Sequence, residues 1–220
     1  MTRRLLAGLV AGLTMTGAAT LAAPASADEP TDPAATSRLP YQREVAQVLP
    51  DAAGGTRAAQ PGTGIRGPNS GTATVYDEPC LGEEVRARGE SGRAALYRPG
   101  PEAEARPVTP VVQERTFASP EAARAALGVL RAAVRECRGQ TARTRTETYS
   151  WFQRSVPLYG QDRLGWSLRT TYSGGGKVFD LHYLVLRGDT LVHVVTSKRG
   201  SLPDQGASQR LTRLALTTLR

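Results

Sequence analysis

The chain has 220 residues, a formal net charge of +8, 40% hydrophobic residues and 5% aromatic ones. That composition is globular and excludes a collagen, a wholly disordered chain and a polytopic membrane protein. The length suits one domain, or two small ones. All basic residues except Lys177 and Lys198 are arginine, a skew that genomic base composition explains as readily as a polyanionic partner does.

Arg3 and Arg4 precede an uncharged run from Leu5 to Ala27 that closes on Ala25-Ser26-Ala27 before Asp28. This is the charged, apolar and small-residue order of a cleaved secretory signal, and residues 1–27 are assigned to it. An uncleaved membrane anchor is the alternative. Cleavage removes two of the eight excess positive charges and leaves no transmembrane anchor, so the mature chain is expected to be secreted and extracellular. Export gives meaning to Cys80 and Cys137, the only two cysteines. An oxidising compartment favours joining them, and the chain-entropy model gives such a loop about 4 kcal/mol. Two buried free thiols are the alternative, and two isolated cysteines are too few for a metal site.

Residues 28–70 read as a leader, a short helix and a linker. Gln42–Leu49 places Val45, Val48 and Leu49 on one side before Pro50, and 52–70 is rich in Ala, Gly, Thr and Pro. Residues 71–220 carry the domain. Strands are expected at Thr72–Glu78, Ala94–Tyr97 and Val108–Phe117, the last an edge or bulge because of Pro110. Ser119-Pro120-Glu121 opens a helix with an N-cap, a proline at its first position and an acid for the helix dipole. Ala123, Leu127, Leu130 and Val134 follow at helical spacing, Arg124, Arg131, Arg135 and Arg138 fall opposite, and Gly139 stops it after Cys137.

Thr141–Trp151 alternates, which predicts one strand with Arg143, Arg145, Glu147, Tyr149 and Trp151 on one face. Leu164–Tyr172 and Lys177–Leu186 flank a Ser173–Gly176 turn, and Gly188-Asp189 is a tight hairpin turn. A last helix runs from Asp204 to Leu219 with Leu211, Leu214 and Ala215 inward. The fold class is therefore α+β, a curved antiparallel sheet with helices packed on one face and one disulfide.

The strand ending at Phe117, the Ser119-Pro120-x-x-Ala123-Arg124 helix start and Cys137 at the helix end carry a resemblance. So do Gly165-Trp166, the Leu184–Val195 hairpin with its Arg187-Gly188-Asp189 turn, and the last helix. Over residues 70–220 the chain resembles the extracellular sensor domain of mycobacterial PknH-type kinases, a family with secreted actinobacterial members that lack a kinase. The resemblance implies an α+β domain with a cleft for a ligand of unidentified chemistry, and it brings no catalytic residues. This chain departs from the receptor in having one cysteine pair where two are expected, and no kinase.

Several short motifs reduce to turns. Gly62-Thr63-Gly64-Ile65-Arg66-Gly67 spells a dinucleotide string, but no strand precedes it and Pro68 follows. Ser173–Lys177 lacks the spacing of a phosphate loop, Gly165-Trp166-Ser167 lacks the second glycine of a nucleophile elbow, and Arg187-Gly188-Asp189 is what a two-residue turn requires.

His182 and His193 are the only histidines. A Gly188-Asp189 loop pairs Arg187 with Thr190, Leu184 with His193 and His182 with Val195. The histidines then share a face as diagonal neighbours, about 7–8 Å apart along the backbone. They suit a pH-sensitive or ligand-binding site, or two polar residues on a wet face; no third ligand for a metal is evident. Arg143, Arg145, Tyr149 and Trp151, with Trp166, Arg169 and Tyr172, form the candidate binding surface, since cations among aromatics suit anionic lipids, glycans or nucleic acid. A solvated strand face with the aromatics in the core is the plain alternative. The expected function is a secreted, monomeric, non-catalytic ligand-binding or sensor-like domain for a small molecule, lipid or glycan at the cell envelope, with no cofactor, metal or nucleic acid. The alternatives are a hydrolase using His182 or His193, and a binder of polyanions.

Overall fold

The computed structural model describes residues 38–61, 65–66, 86–87, 89–103, 105–156 and 162–219. Its main sheet has eight antiparallel strands and is open. In spatial order these are β1 (Arg57–Pro61), β4 (Ser91–Tyr97), β5 (Thr109–Thr116), β10 (Thr190–Arg199), β9 (Lys177–Arg187), β8 (Asp162–Tyr172), β7 (Glu147–Gln153) and β6 (Thr141–Arg143). Two short strands, β2 (Ile65–Arg66) and β3 (Arg86–Ala87), pair separately. The helices among the described residues are α1 (Gln42–Val48), α2 (Pro120–Glu136) and α3 (Gln205–Thr218), with one short 3-10 turn at Pro50–Ala52. The class is α+β. The expected strand at Thr72–Glu78 lies outside the described residues, as do the signal segment and most of the Gly62–Gly67 string.

The chain leaves the sheet at β5 and re-enters it at the far edge, β6, five strand positions away. Five interstrand spacings amount to about 24 Å. The 17 residues of α2 span about 25 Å, so one straight helix makes the crossing over one face. Ser119 caps it by accepting from the Ala122 amide at 3.2 Å. Ala123, Leu127, Leu130 and Val134 face the sheet and meet Phe117, Leu164, Trp166, Leu184, Leu186 and Leu191. The four arginines expected on the far side are exposed, and Arg131 donates to Asp162.

β9 and β10 pair in the expected register, with Arg187 opposite Thr190 and Gly188 at φ 59° in the turn. Leu191 lies under α2, whereas its neighbours Val192 and Val194 pack with Ala207, Leu211 and Ala215 of α3 and Val45 of α1. Adjacent strand residues point to opposite faces. Helices therefore cover both faces, which corrects the expectation of one. The reason is the doubly apolar β9–β10 hairpin: neither side of it can be left to water. α3 begins at an Asp204 cap, whose carboxylate accepts from the Ala207 amide at 2.6 Å.

Two further expectations change. The segment read as a linker supplies edge strand β1, whose ladder bonds to β4 form without any hydrophobic signature in Arg57–Pro61. α1 is where the sequence places it, joined to α3 through the Arg38 amide on the Thr218 carbonyl and anchored by the Tyr97 hydroxyl on the Pro40 carbonyl. Secondly, β5 is an interior strand despite Pro110. Its ladder to β4 ends at Val111, so the missing N–H of Pro110 is not required there. Cys137 is buried beside Ala142 and Trp151, and no cysteine among the described residues is free. Cys80 lies outside them.

Gly165 is fixed by a close approach. A Cβ there would overlap Cγ2 of Val156 and lie 3.0 Å from the Arg154 carbonyl, because the chain after β7 folds back across β8. Gly165→Ala should cost about 1–3 kcal/mol in urea unfolding. Val156→Ala in the same chain should return part of that loss; simple additivity of the two would show that the contact is not the cause.

Candidate functional site

Four strands bring a polar row onto the face crossed by α2. Gln113 of β5 stands opposite His193 of β10, and Trp166 of β8 stands opposite His182 of β9. The two histidines are diagonal across the β9–β10 ladder, as the register predicts. Their side chains close the gap: Nδ1 of His182 lies 3.2 Å from Nε2 of His193. The rings of Trp166, His182 and His193 stack, with centroids 4.5 Å apart for Trp166–His182 and 5.3 Å for His182–His193.

Burial decides the protonation state. His193 is only 3% exposed. Desolvation pulls its pKa from 6.5 down to about 3, and burial followed by the His193 ring holds His182 well below 6.5 as well. Both are neutral near pH 7. A neutral imidazole has one donor and one acceptor nitrogen. Gln113 turns its amide nitrogen to Nδ1 of His193 at 2.7 Å, so that nitrogen accepts. Nε2 of His193 then carries the proton and donates to Nδ1 of His182. His182 in turn carries its proton on Nε2, which is buried without a hydrogen-bond partner. The row thus ends in an unused donor. On the same sheet face, Nε1 of Trp151 and Nε of Arg115 are two further buried donors without a partner.

Asp180 lies on this face two residues before His182 and accepts from the Ser197 hydroxyl. Burial raises its pKa from 3.8, and the Ser197 hydrogen bond partly opposes the shift. Neither histidine is hydrogen-bonded to a serine or a carboxylate among the described residues.

The candidate surface residues fall in four places. Tyr149, Trp151, Trp166 and the histidines share the α2 face, but Trp151 and Trp166 are 1% and 2% exposed and belong to the core. Tyr149 stacks on Trp151 with centroids 6.1 Å apart and its hydroxyl donates to Glu147. Tyr172 is exposed at the end of β8. Arg143 and Arg145 do not join them, because the expected single strand is a hairpin. The Thr144 hydroxyl accepts from the Thr146 and Glu147 amides and turns the chain, so β6 doubles back beside β7. Arg143 pairs with Thr148 on the opposite face, and Arg145 sits exposed in the turn. Arg169 is also on the opposite face, donating to the Ser150 hydroxyl at 3.2 Å. Gln113, Asp180 and Ser197 were not singled out in the sequence; Gln113, a polar residue within Val111–Gln113, was the available signal.

No protein-family model matches this chain, and no curated protein does. Among solved structures it is similar to the extracellular domain of PknH from Mycobacterium tuberculosis, at 16% identity over 82% of this chain and 92% of that one, with a TM-score of 0.47. At that identity and TM-score the likeness transfers no function.

The histidine pair has a definite sign in pH. Their folded-state values lie below 6.5, so the unfolded chain binds more protons in the interval between. Their contribution is full above about pH 6.5 and should decline at about 1.4 kcal/mol per pH unit per histidine as pH falls toward the folded-state value. Asp180 works in the opposite sense, its raised pKa costing stability as pH climbs above 3.8. Urea unfolding between pH 7 and 5 should show falling stability in the wild type and a flatter profile in His182→Asn/His193→Asn. Identical slopes would refute the neutral pair.

Proposed function

We propose that this chain is a secreted, non-catalytic ligand-binding domain of the sensor type, acting at or outside the cell envelope. Export is supported by the Arg3–Ala27 segment and its Ala25-Ser26-Ala27 end. The observation that carries the ligand-binding reading is the buried, unused N–H at Nε2 of His182, presented by an aligned row of neutral partners. A buried donor without an acceptor costs about 1–3 kcal/mol, and a ligand oxygen placed there removes that cost. Neutral donors beside an indole stack suit the hydroxyl, ether and carbonyl oxygens of a glycan or a lipid headgroup. The hydrolase alternative is weaker, because the described surroundings of the histidines supply no hydrogen-bonded nucleophile or carboxylate. The polyanion alternative fits this face poorly, since the Gln113–His193–His182 row is uncharged and Arg115, the cation on β5 beside it, is buried.

Within this reading Cys80 and Cys137 form a disulfide that fastens the end of α2, the domain is a monomer, and residues 1–27 are removed. Peptide mapping of secreted protein without reductant should recover one linked Cys80–Cys137 peptide pair and an amino terminus at Asp28; free thiols at both positions would overturn the pairing.

The function itself is tested by thermal-shift screening of the secreted protein against envelope glycans and lipids. At least one should raise the melting temperature, and His182→Phe, which keeps the ring stack but lacks the donor, should bind it about tenfold more weakly. Silence across the panel, or undiminished affinity in the variant, would count against this site.

A further inference from the structure

The sheet face opposite the histidine row holds a second chemical arrangement. On β7 and β8, Ser150 stands opposite Arg169 and Phe152 opposite Ser167. Arg154 extends the β7 line, its amide bonded to the Gly165 carbonyl at 2.8 Å. Arg163 lies on the same face, since it is two residues before Gly165 and four before Ser167. α1 and α3 cover this face at β4, β5, β9 and β10, and the β7–β8 end lies beyond them.

Three guanidinium groups here are held by neutral acceptors. Nε of Arg154 donates to the Ser167 hydroxyl at 2.9 Å, Nη2 of Arg169 to the Ser150 hydroxyl at 3.2 Å, and Nε of Arg163 to the Val156 carbonyl at 3.0 Å. Both hydroxyls are buried and sit on rigid strands, so they aim the arginine side chains. None of the three has a carboxylate partner among the described residues. Arg38, Arg93, Arg124 and Arg131, in contrast, each pair with one. Both terminal nitrogens of Arg154 and Nη1 of Arg169 make no hydrogen bond there, and Nε of Arg169 is buried without a partner. The carbons Cζ of Arg154 and Arg169 stand 5.7 and 5.8 Å from the centre of the Phe152 ring, which is 38% exposed.

We propose that Arg154 and Arg169 form an oxyanion site for a phosphate group, with Arg163 adding charge and Phe152 offering an apolar platform to the rest of the ligand. A guanidinium presents paired N–H donors in a planar fork that matches phosphate oxygens. Unneutralised positive charges on one face repel each other, and a bound dianion reverses the sign of that interaction. The exposed ring favours a phosphate carried on an apolar body over the bare ion. The site is independent of the His182 donor, which lies on the other face, so either can fail alone.

The test uses the secreted protein with three probes: inorganic phosphate, vesicles of phosphatidylglycerol in phosphatidylcholine, and vesicles of phosphatidylcholine alone. Saturable binding of phosphate or of the anionic vesicles, with none to the neutral ones, is the expected result, and added salt should weaken it. Arg154→Gln and Arg169→Gln should each weaken binding about five- to tenfold, and Arg154→Lys should restore only part of it. Phe152→Ser should weaken vesicle binding and leave phosphate binding unchanged. Phosphate binding alone supports a soluble phosphorylated ligand, and anionic-vesicle binding supports a lipid headgroup. Binding to neither probe would overturn the site, as would undiminished binding by an Arg154→Gln/Arg169→Gln protein that melts like the wild type.

Discussion

The β9–β10 hairpin is apolar on both of its faces, and that one constraint organises the molecule. Leu184, Leu186 and Leu191 demand cover on one side, and Val185, Val192 and Val194 demand it on the other. The chain meets the first demand by sending α2 straight across from β5 to β6, and the second by folding α3 back with α1 packed against it. The hairpin therefore becomes the centre of an eight-stranded sheet rather than its edge. Leu127 and Leu211, far apart in the chain, serve the same two strands from opposite sides.

Covering both faces also sets the chemistry. His182 and His193 alternate with leucines on β9 and β10, so the helix that buries Leu184 and Leu191 also buries His193 and the Nε2 edge of the half-buried His182. A buried imidazole is cheaper to keep neutral than charged. Neutrality then makes the direction of every hydrogen bond from Gln113 onward a consequence of one amide orientation. The arginines belong to a different regime. They gather where the helices stop, on the β7–β8 end of the other face, where half-buried guanidinium groups donate to the buried hydroxyls of Ser150 and Ser167.

Much of this fold was legible from local pattern. The Ser119-Pro120 start and helical spacing located α2, the Gly188-Asp189 turn fixed the β9–β10 register to the residue, and the Asp204–Leu219 spacing located α3. The failures are of two kinds. Thr141–Trp151 alternates through a turn, because the Thr144 hydroxyl bond that reverses the chain leaves no mark on a period of two. Arg57–Pro61 carries no strand signature, because an edge strand can be held by ladder bonds to a neighbour rather than by its own apolar residues.

By itself the sequence determined which residues share a strand face within a hairpin, since turn type fixes register over a few residues. It thereby placed His182 beside His193 and set Leu181, Tyr183 and Val185 on the reverse side. Only the tertiary structure decided which faces meet which helices, and which strands lie beside one another when they are distant in sequence. Gln113 reaches His193 only because α2 carries the chain to the far edge and the β6–β10 meander brings it back to β5, some eighty residues later. The same meander sets Arg169 against Ser150 rather than beside Trp151, because a strand's two faces diverge at every residue and local alternation cannot say which of them will be covered.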